Sequence, residues 1–485
     1  MPFPGLNRLL IAYTEQNPDL GESEIEQLID AYPGQRRAAL RAKAILVTRR
    51  AGKLVELARL DEALAALPES DKGFLTDVPE VRRRVQEVAA AQARLDTLHR
   101  PFLREPYSAL VVKEVEAFRS QIAGFRPPLS IELRKSAGKW LDVARRQLEE
   151  ARRALSRELN GQVFRAGDPV DRDREAFLYR DVLFHELERQ VMLAAGCPGL
   201  LIYGRRRMGK TTLLENLPGF MPPQLGIANL SMHSAAAFSS LESFAQRVAR
   251  QSLAAFPSVL AGLDTESPRD LQSLETFLAK VDERLRRAER RLLLAIDEFE
   301  NLDVKIGEGI MPVDLLAVVR DSIQRHRQII WAFAGSNSIS ELIHAPWTSY
   351  LVSARTVEIP PFEPEETRLL LTEPLKHSTF WRDLETPRPS FKPLFWGPEG
   401  IERIQAETGG WPHLVQLVAE AVVDLVNDAG VEVADAALLD RAFDKAVTRG
   451  DNVLMELAEK ECRLPGEWEY LLGFRTKESQ TVPRD

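Results

Sequence analysis

The run GRRRMGKTT, which follows the apolar stretch LLIY, constrains the fold of this chain more than any other feature. Gly204, Gly209, Lys210 and Thr211 match the pattern G-x-x-x-x-G-K-[ST]. In this pattern the glycines let the backbone turn its N–H groups towards an anion, and the lysine reaches the β- and γ-phosphates of a nucleotide. The threonine offers its hydroxyl to Mg²⁺. Because an apolar run precedes the loop and the amphipathic TTLLENL follows it, the sequence predicts a phosphate cradle between a strand and a helix.

The other residues of the same loop are assigned to this cradle. We expect Arg207 and Met208, which precede the second glycine, and Thr212, which follows Thr211, to contact the nucleotide. The three arginines 205–207 are also compatible with a solvated loop tip, or with a contact to a partner or a second subunit.

A second apolar run ends in acids that the cradle requires. In RRLLLAIDEFENL, five apolar residues lead into Asp297 and Glu298. Asp297 is the predicted magnesium ligand, acting through water together with Thr211, because a carboxylate at the end of a buried strand completes such a site. Glu298 is predicted to orient or deprotonate the attacking water, with Glu300 as the alternative. A glutamate directly after the metal aspartate indicates a hydrolase rather than a small-molecule kinase.

The next apolar run, QIIWAFAGSNSISELI, ends in small polar residues. A polar residue at this place can contact the γ-phosphate when an extra strand lies between the cradle strand and the magnesium strand. We assign this contact to Asn337, although the sequence does not choose between Asn337 and Ser336. An ordinary polar turn from strand to helix would have the same composition.

The order of apolar patterns predicts the fold and its division into domains. Five short runs alternate with helical patterns, which indicates an α/β P-loop NTPase core with a parallel sheet: GLLIYG, GIANLSM, RLLLAID, QIIWAFAGS and TVEIPPF. An all-α N-terminal region precedes this core and a helical lid follows it. The predicted domains are a small helical bundle at 1–75, a long-helix stalk or hairpin at 76–165, the P-loop domain at 166–365, the lid at 366–450, and C-terminal helices at 451–485. The last of these is either a minimal domain or the beginning of a truncated winged helix.

The predicted stalk carries an apolar stripe close to heptad spacing. Its residues are Leu133, Ala137, Leu141, Ala144, Leu148, Ala151, Leu155 and Leu159. The stripe must pack either on the chain's own helices, as an intramolecular hairpin, or on a partner, and we favour the hairpin. The following stretch NGQVFRAGDPVDRDREAF is rich in Gly, Asp and Arg and is predicted to be a linker.

Charge and cysteine content limit the classes of partner. The 485 residues carry a net charge of −8, which disfavours a protein that binds polyanions with its whole surface and leaves DNA binding to a local basic patch. The two cysteines, Cys197 and Cys462, have neither a paired nor a metal-binding spacing. With no signal peptide or membrane span in the sequence, we expect a cytoplasmic protein without a membrane partner.

Four segments together resemble the STAND signalling ATPases and the related archaeal-type ATPases of the AAA+-like branch. They are the P-loop GRRRMGKTTLL, the upstream AFLYRDVLFHELERQV, the magnesium strand IDEFENL and the downstream TGGWPHLVQLVAEAVVDLV. The upstream segment has Tyr-Arg-Asp where Gly-Arg-Glu is usual in this group. The resemblance covers residues from about 175 to 430.

This resemblance implies an AAA+-like sheet, ATP and Mg²⁺ as ligands, and slow hydrolysis by a molecular switch that controls partner binding or oligomerisation. Pro412 would approach the nucleotide from the lid, and the N-terminal helices would contact an unknown protein partner. Arg355 would serve the site of a neighbouring subunit in a self-associated form, or else form a surface salt bridge. The alternative is an AAA+-type DNA-associated loader or motor ATPase, as in replication or transposition, because it shares the same core motifs.

Overall fold

The structure is a computed structural model that divides the chain into two compact units. It describes residues 3–461 except 52–53, 70, 72–73, 76, 123, 126, 156–159, 194–195, 233–237, 264–266, 383 and 385–386. The first unit, called the helical unit, contains the described residues up to Gln162 together with Phe380–Pro387. The second, called the sheet unit, contains Val163–Thr379 and the described residues from Arg388 onwards.

The division between the units lies close to the boundary predicted after residue 165. The boundaries predicted after residues 75 and 365 fall inside the helical unit and the sheet unit, and the boundary after residue 450 falls within the last helix. The finer subdivision stays a prediction. The predicted winged helix depends on residues after 461, which lie outside the described part of the chain.

The helical unit is built from seven α-helices and a 3₁₀ turn at Leu54–Glu56 within its described residues. The helices are α1 (Leu6–Gln16), α2 (Pro18–Ala31), α3 (Pro33–Arg50), α4 (Leu57–Ala65), α5 (Val78–Asp96), α6 (Pro101–Ile122) and α7 (Leu129–Leu155). Local chemistry fixes several starts: Pro18 and Pro33 occupy the first position of their helices, where a missing N–H costs nothing. The Asp77 carboxylate accepts a 3.0 Å hydrogen bond from the backbone N of Glu80 and so caps α5.

The predicted stripe on α7 packs against the chain's own helices. Five of its members are buried: Leu133, Ala137, Leu141, Ala144 and Ala151. Leu148 and Leu155 are partly buried, and Leu159 lies outside the described residues. Helix α7 runs along α6, and the rings of Phe118 and Trp140 lie 5.5 Å apart between them. The two helices therefore form the favoured intramolecular hairpin.

One buried carboxylate, that of Asp71, connects the segment before α5 to helix α3. The Asp71 side chain has no exposed surface and accepts hydrogen bonds from Arg37 Nε at 2.9 Å and Arg41 Nε at 2.8 Å, both on α3. Burial raises the pKa of Asp71, but the hydrogen bonds from Arg41 and Arg37 outweigh it and hold the pKa below its ordinary value. The buried negative charge of Asp71 is therefore compensated by the two arginines of α3.

The sheet unit contains five strands and eleven α-helices in its described part. The strands are β1 (Leu200–Tyr203), β2 (Leu225–Ser231), β3 (Arg291–Asp297), β4 (Ile329–Gly335) and β5 (Arg355–Glu358), which confirms all five predicted runs. The helices are α8 (Asp181–Val191), α9 (Lys210–Asn216), α10 (Leu241–Ala255), α11 (Leu271–Arg287), α12 (Glu300–Gly307), α13 (Asp314–Arg325), α14 (Trp347–Tyr350), α15 (Pro364–Thr372), α16 (Gly400–Thr408), α17 (Pro412–Ala429) and α18 (Ala436–Glu461). Short 3₁₀ turns occur at Leu217–Gly219, Ile339–Glu341 and Pro393–Trp396.

The five strands form one parallel sheet in the order β2-β3-β4-β1-β5. Strands β3 and β4 are apolar at nearly every position because helices cover both faces of the sheet. Their side chains alternate between two hydrophobic clusters. One face receives Leu292, Leu294, Ile296, Ile329, Trp331 and Phe333, and the other receives Leu293, Ala295, Ile330, Ala332 and Ala334.

In the described part of the chain, each helix is too short or too polar to cross a bilayer. A cytoplasmic location stays a prediction.

Candidate functional site

The P-loop connects β1 to α9 and closes around its own lysine. Gly209 has φ 88°, a left-handed conformation that a side chain would strain, and it lies directly before Lys210, the first residue of α9. Lys210 is only 9% exposed, and its ammonium donates hydrogen bonds to the carbonyl oxygens of Gly204 at 2.6 Å and Arg205 at 3.0 Å. The loop backbone therefore curls around the cation.

Arg207 has a strained backbone in the middle of this loop. Its φ of 65° is uncommon for a residue with a side chain and costs of order 1–3 kcal/mol. Its guanidinium donates a 2.9 Å hydrogen bond to the carbonyl oxygen of Gly167, and it is part of the cavity lining described below. The residue is thus held in the site, which disfavours the interpretation of a purely solvated loop tip.

Thr211 and Asp297 meet at the carboxyl edge of the sheet. The Thr211 hydroxyl donates a 2.6 Å hydrogen bond to the Asp297 carboxylate, which is 1% exposed at the end of β3. Burial raises the pKa of Asp297, the hydrogen bond from Thr211 lowers it, and the charge of Glu298 raises it further. The balance lies above the ordinary value for an aspartate, so a cation beside this carboxylate would be strongly favourable.

These two oxygen ligands fit a magnesium ion. A hydroxyl and a carboxylate at the floor of a polar cavity are the chemistry that Mg²⁺ prefers, with water completing its shell. When bound, Mg²⁺ would neutralise charge on the β- and γ-phosphates of a nucleotide.

Glu298 lies in the turn between β3 and α12. Its φ is 54°, and its carboxylate accepts a 3.1 Å hydrogen bond from the side-chain amide of Asn301 on α12. It lines the same cavity as Asp297 and Lys210. The acid that the sequence assigns to water activation is therefore next to the predicted metal ligands, with a backbone strain that is typical of functional turns.

The predicted residues surround a cavity of about 490 Å³, which is within the roughly 300–1,000 Å³ of small-molecule sites. Its lining is basic at the P-loop, where Arg206, Arg207 and Lys210 lie, and acidic after β3, where Asp297, Glu298 and Glu300 lie. The stretch before α8 adds one residue of each sign, Arg165 and Asp168. This arrangement can hold a polyanion together with a divalent cation.

The stretch predicted to be a linker contains the division between the two units, after Gln162, but it is also a wall of this cavity. We call residues 163–176 the wall segment. The backbone N of Val170 donates to the Thr212 hydroxyl at 3.2 Å, and the Asn216 side-chain amide donates to the Val170 carbonyl oxygen at 2.8 Å. The wall segment is therefore fastened to α9, the helix that begins with Lys210. The sequence does not predict this contact, because the partners are remote in sequence and leave no periodic signal.

The other side of the wall segment is fastened to the lid helix α17. The Gln416 side-chain amide donates to the Ala176 carbonyl oxygen at 2.7 Å, and the backbone N of Ala166 donates to the Glu420 carboxylate at 3.3 Å. The wall segment thus lies between the P-loop helix and the lid helix.

Helix α17 contributes its first turn to the cavity. Pro412, which the resemblance places near the nucleotide, lines it, and so do His413 and Gln416, which the sequence analysis did not single out. His413 is 8% exposed, and within the described residues its Nε2 has no hydrogen-bond partner. Burial and the nearby Arg207 charge lower the pKa of His413 to about 4, so the ring is neutral at pH 7. The Trp411 indole donates a 3.1 Å hydrogen bond to the Arg206 carbonyl oxygen, which joins the lid to the P-loop.

An apolar pocket of about 80 Å³ adjoins the charged cavity. It shares Val170, Gly209, Thr212, Pro412 and Gln416 with the cavity. It adds apolar side chains from the wall segment and the residue after it, from α8, from the P-loop and from α9: Ala176, Phe177, Leu183, Phe184, Met208 and Leu213. Met208 thus lies on this side rather than in the charged cavity. Arg180 lines the pocket but is engaged with the Glu366 carboxylate at 2.9 Å and 3.0 Å.

The remaining predicted residues do not all line the cavity. Ser336 lines the cavity, whereas Asn337, which the sequence predicts as the γ-phosphate contact, is not among the lining residues, and its Oδ1 lies 3.3 Å from the Ser336 hydroxyl oxygen. Gly204 lies under the loop, where a Cβ would be 3.2 Å from the Ile359 carbonyl oxygen. Arg355 is the first residue of β5 and pairs with Leu200, so it lies at the sheet edge opposite the P-loop.

Strand order and loop position together identify the fold. The P-loop follows β1, the acids follow β3, and β4 lies between these two strands. This is an AAA+-like P-loop core.

Comparisons with known proteins add little to the assignment of an AAA+-like P-loop core. No family model matches the sequence, and no curated protein matches it. Similar solved structures include the Orc1 protein of Aeropyrum pernix in complex with DNA, at 15% identity and TM-score 0.35, covering 60% of this chain and 69% of that chain. The Orc2 protein of Aeropyrum pernix, in ADPNP-ADP complexes, has 16% identity and TM-score 0.38 over 57% of this chain and 73% of that chain. Cdc6p from Pyrobaculum aerophilum has 15% identity and TM-score 0.36 over 59% and 70%. The fold assignment therefore rests on the strand order and the P-loop of this chain.

Proposed function

We propose that the chain binds ATP with Mg²⁺, hydrolyses it slowly, and acts as a switch. In this proposal nucleotide binding sets the position of the lid helices against the parallel sheet, and the lid position controls partner binding or self-association. We propose this slow ATP turnover for the chain on its own, without a partner.

One observation carries the proposal: the P-loop lysine, the Thr211–Asp297 pair and the first turn of the lid helix line a single cavity. The positive charges of Lys210 and of the arginines beside it complement a triphosphate. The Thr211 hydroxyl and the Asp297 carboxylate are suitable ligands for the metal ion that accompanies it. The adjoining apolar pocket supports a ligand with a flat base next to its phosphates. Because Pro412, His413 and Gln416 belong to the lid, a ligand in the cavity would contact sheet and lid together.

Calorimetry tests the binding step. The wild-type chain is titrated with ATP, ADP and GTP in the presence of Mg²⁺ and again with excess chelator. Lys210→Ala is expected to lose ATP binding while its helical content and melting temperature stay near wild type. Lys376→Ala is the matched control because Lys376 is an exposed lysine of the same unit and does not line the cavity. Tight ATP binding by Lys210→Ala would refute the proposal.

Mass measurement tests the switch. Light scattering of the wild-type chain with a non-hydrolysable ATP analogue, with ADP and without nucleotide is expected to show a change of mass or radius for the ATP-like state alone. Identical values in all three states, at concentrations that saturate binding, would leave an ATP-binding protein without the proposed switch.

A surface of the helical unit supports a protein partner for the N-terminal helices. On α1 and α2, Leu9 is 61% exposed, Tyr13 is 42% exposed and Leu20 is 62% exposed. Leu9 and Tyr13 are four residues apart, so they share one face of α1. We propose these exposed apolar side chains as the place where a protein partner binds.

A DNA-associated ATPase is the second candidate, and one feature of the helical unit favours it. An open groove of about 370 Å³ between α6 and α7 is lined by Arg119, Arg134 and Arg145, with Glu116 beside Arg145. The positive charges of three arginines could bind the phosphates of a DNA backbone. The Glu116 carboxylate, however, already pairs with Arg145 at 2.8 Å. DNA-stimulated ATP turnover that Arg119→Ala and Arg145→Ala abolish would favour this candidate over the switch.

A further inference from the structure

The loop after β4 is held by the first residue of helix α12. The Glu300 carboxylate accepts two hydrogen bonds from Ser336 through its Oε1, from the backbone N at 3.2 Å and from the hydroxyl at 2.9 Å. Ser336 directly follows β4, and Glu300 follows the acidic turn of Asp297 and Glu298. The pair therefore connects the ends of the two strands that carry the acids and the predicted γ-phosphate contact.

The second oxygen of Glu300 is buried beside the cavity. Glu300 Oε2 has no hydrogen-bond partner within the part of the chain that the structure describes, and both Glu300 and Ser336 line the cavity. Gly335 makes this position available, because a Cβ there would lie 2.2 Å from Glu300 Oε2. A buried carboxylate oxygen without a partner costs free energy, so its persistence at a site wall indicates a function.

One turn further along α12, Asp303 holds the far end of the same loop. Its carboxylate is 3% exposed and accepts hydrogen bonds from three consecutive backbone N–H groups, those of residues 343, 344 and 345, at 3.1–3.3 Å. It also accepts a 2.7 Å bond from the Trp347 indole, whose ring packs 5.4 Å from that of Phe299. Helix α12 therefore fixes the segment 336–347 at both ends.

We propose that Glu300 is a positioning residue for ATP hydrolysis that acts through Ser336. Its carboxylate orients the Ser336 hydroxyl at the cavity wall and, with Asp303, sets the position of the loop against the γ-phosphate of bound ATP. Glu298 keeps the role of activating water. This inference rests on the proposed ATPase function.

A double-mutant cycle on steady-state hydrolysis tests the proposal. Glu300→Ala removes the carboxylate that accepts both hydrogen bonds from Ser336, and Ser336→Ala removes the hydroxyl. Each single variant is expected to lower kcat by about tenfold or more, and the double variant is expected to be no slower than the slower single variant, because both changes break the same contact. ATP affinity is expected to be unchanged or tighter in Glu300→Ala, since a negative charge leaves the wall. Glu308→Ala is the matched control, because Glu308 is an exposed glutamate just after the same helix.

Three results would overturn the inference. They are wild-type kcat in Glu300→Ala, multiplicative losses in the double variant, and a loss in Glu300→Ala that leaves Ser336→Ala at the wild-type rate. The last result would make Glu300 the water-activating group itself. Melting temperatures of all variants separate a positioning effect from unfolding, and Ser336→Ala keeps the test valid if Glu300→Ala is unstable. Failure of the ATPase proposal has a different signature, since Lys210→Ala would then bind ATP as the wild type does.

Discussion

The Thr211 hydroxyl and the Asp297 carboxylate are joined by a 2.6 Å hydrogen bond although the residues are 86 positions apart in the chain. The first follows the P-loop and the second ends β3, and β4 lies between β1 and β3 in the sheet. Parallel strands bring their carboxyl ends to one edge, which is where open α/β sheets bind ligands. The metal ligands predicted from two separate motifs thus meet at one point.

The first prediction concerns this pair. Thr211→Val keeps the shape of the side chain but removes the hydroxyl, so Mg²⁺-dependent ATP affinity is expected to fall by at least about tenfold. Thr211→Ser is the control, because it keeps the hydroxyl and should retain most of the affinity. Calorimetric titrations with ATP at several Mg²⁺ concentrations give the comparison. If Thr211→Val has the magnesium dependence of the wild type, the metal does not bind at this pair.

The second prediction concerns Glu298. Glu298→Gln keeps the hydrogen-bonding geometry towards Asn301 but cannot accept a proton from water, so the variant is expected to bind ATP and to lose about 10²-fold or more of its turnover. Phosphate release and ATP binding are measured on the same preparation. Turnover near the wild-type rate would move the water-activating role to another acid, and Glu300 would be the first candidate.

The third prediction follows from the burial of His413. Its pKa is about 4 in the folded chain, against an ordinary value of 6.5, so the unfolded state binds more protons between these values. The folded state therefore loses up to about 3 kcal/mol from this residue as the pH falls from about 6.5 to about 4. His413→Gln is expected to lose less stability than the wild type between pH 7 and pH 5.

Urea unfolding at the two pH values measures this difference. His185→Gln is the matched control, because His185 is a histidine of the same unit with a side chain that is 70% exposed. The pKa of His377 is also lowered, mainly by burial, so some pH dependence will remain in His413→Gln. Equal losses in the wild type and in His413→Gln would show that the ring is not buried in its neutral form.

The sheet was predictable from sequence because each strand is a short apolar run. A strand covered by helices on both faces has to be apolar along its whole length, so RLLLAID and IIWAFAG are visible without any structure. The P-loop and the acids were predictable because the chemistry of phosphate and magnesium restricts the residue types at fixed spacing.

The wall segment was not predictable in the same way. Its backbone is held by Thr212, Asn216 and Gln416, side chains that lie far along the chain, and a polar composition rich in Gly and Asp is equally typical of a linker. His413 was missed for a related reason: only its position at the start of α17 brings its ring to the cavity. The choice between Ser336 and Asn337 depended on which way a turn faces, which composition does not encode.

The fourth prediction is that residues 1–162 fold without the sheet unit. Their helices bury one another's apolar stripes, and Trp140 is fully buried among them. Circular dichroism of this fragment is expected to show a helical spectrum and a cooperative melt. The fragment lacks Phe380, whose ring lies 4.1 Å from that of Tyr107, so a version with residues 380–387 attached should melt at a higher temperature. A random-coil spectrum for both versions would contradict the prediction.

The last prediction concerns Arg355. It is exposed, and its guanidinium donates a hydrogen bond to the Gln190 side chain on α8. It pairs with Leu200 at the start of β1, whereas the P-loop begins after Tyr203, so about 10 Å of strand separates it from its own cradle.

Lys210 and Mg²⁺ would neutralise the inner side of the γ-phosphate, but the transition state also spreads charge over the outer oxygens. A cation supplied by a neighbouring subunit contributes on the order of 10³-fold to the rate in systems that use one.

Arg355→Ala is therefore expected to leave ATP affinity nearly unchanged and to reduce turnover steeply, in a form that self-associates with ATP. Gln190→Ala is the control, because it breaks the same hydrogen bond but keeps the cation. Mixing Arg355→Ala with Lys210→Ala should restore part of the activity, since the intact cradle of one chain can then receive the arginine of the other. Normal hydrolysis by Arg355→Ala, or a protein that stays monomeric with ATP at high concentration, would rule out action on a neighbouring site. The hydrogen bond to the buried Gln190 side chain would then be the role of Arg355.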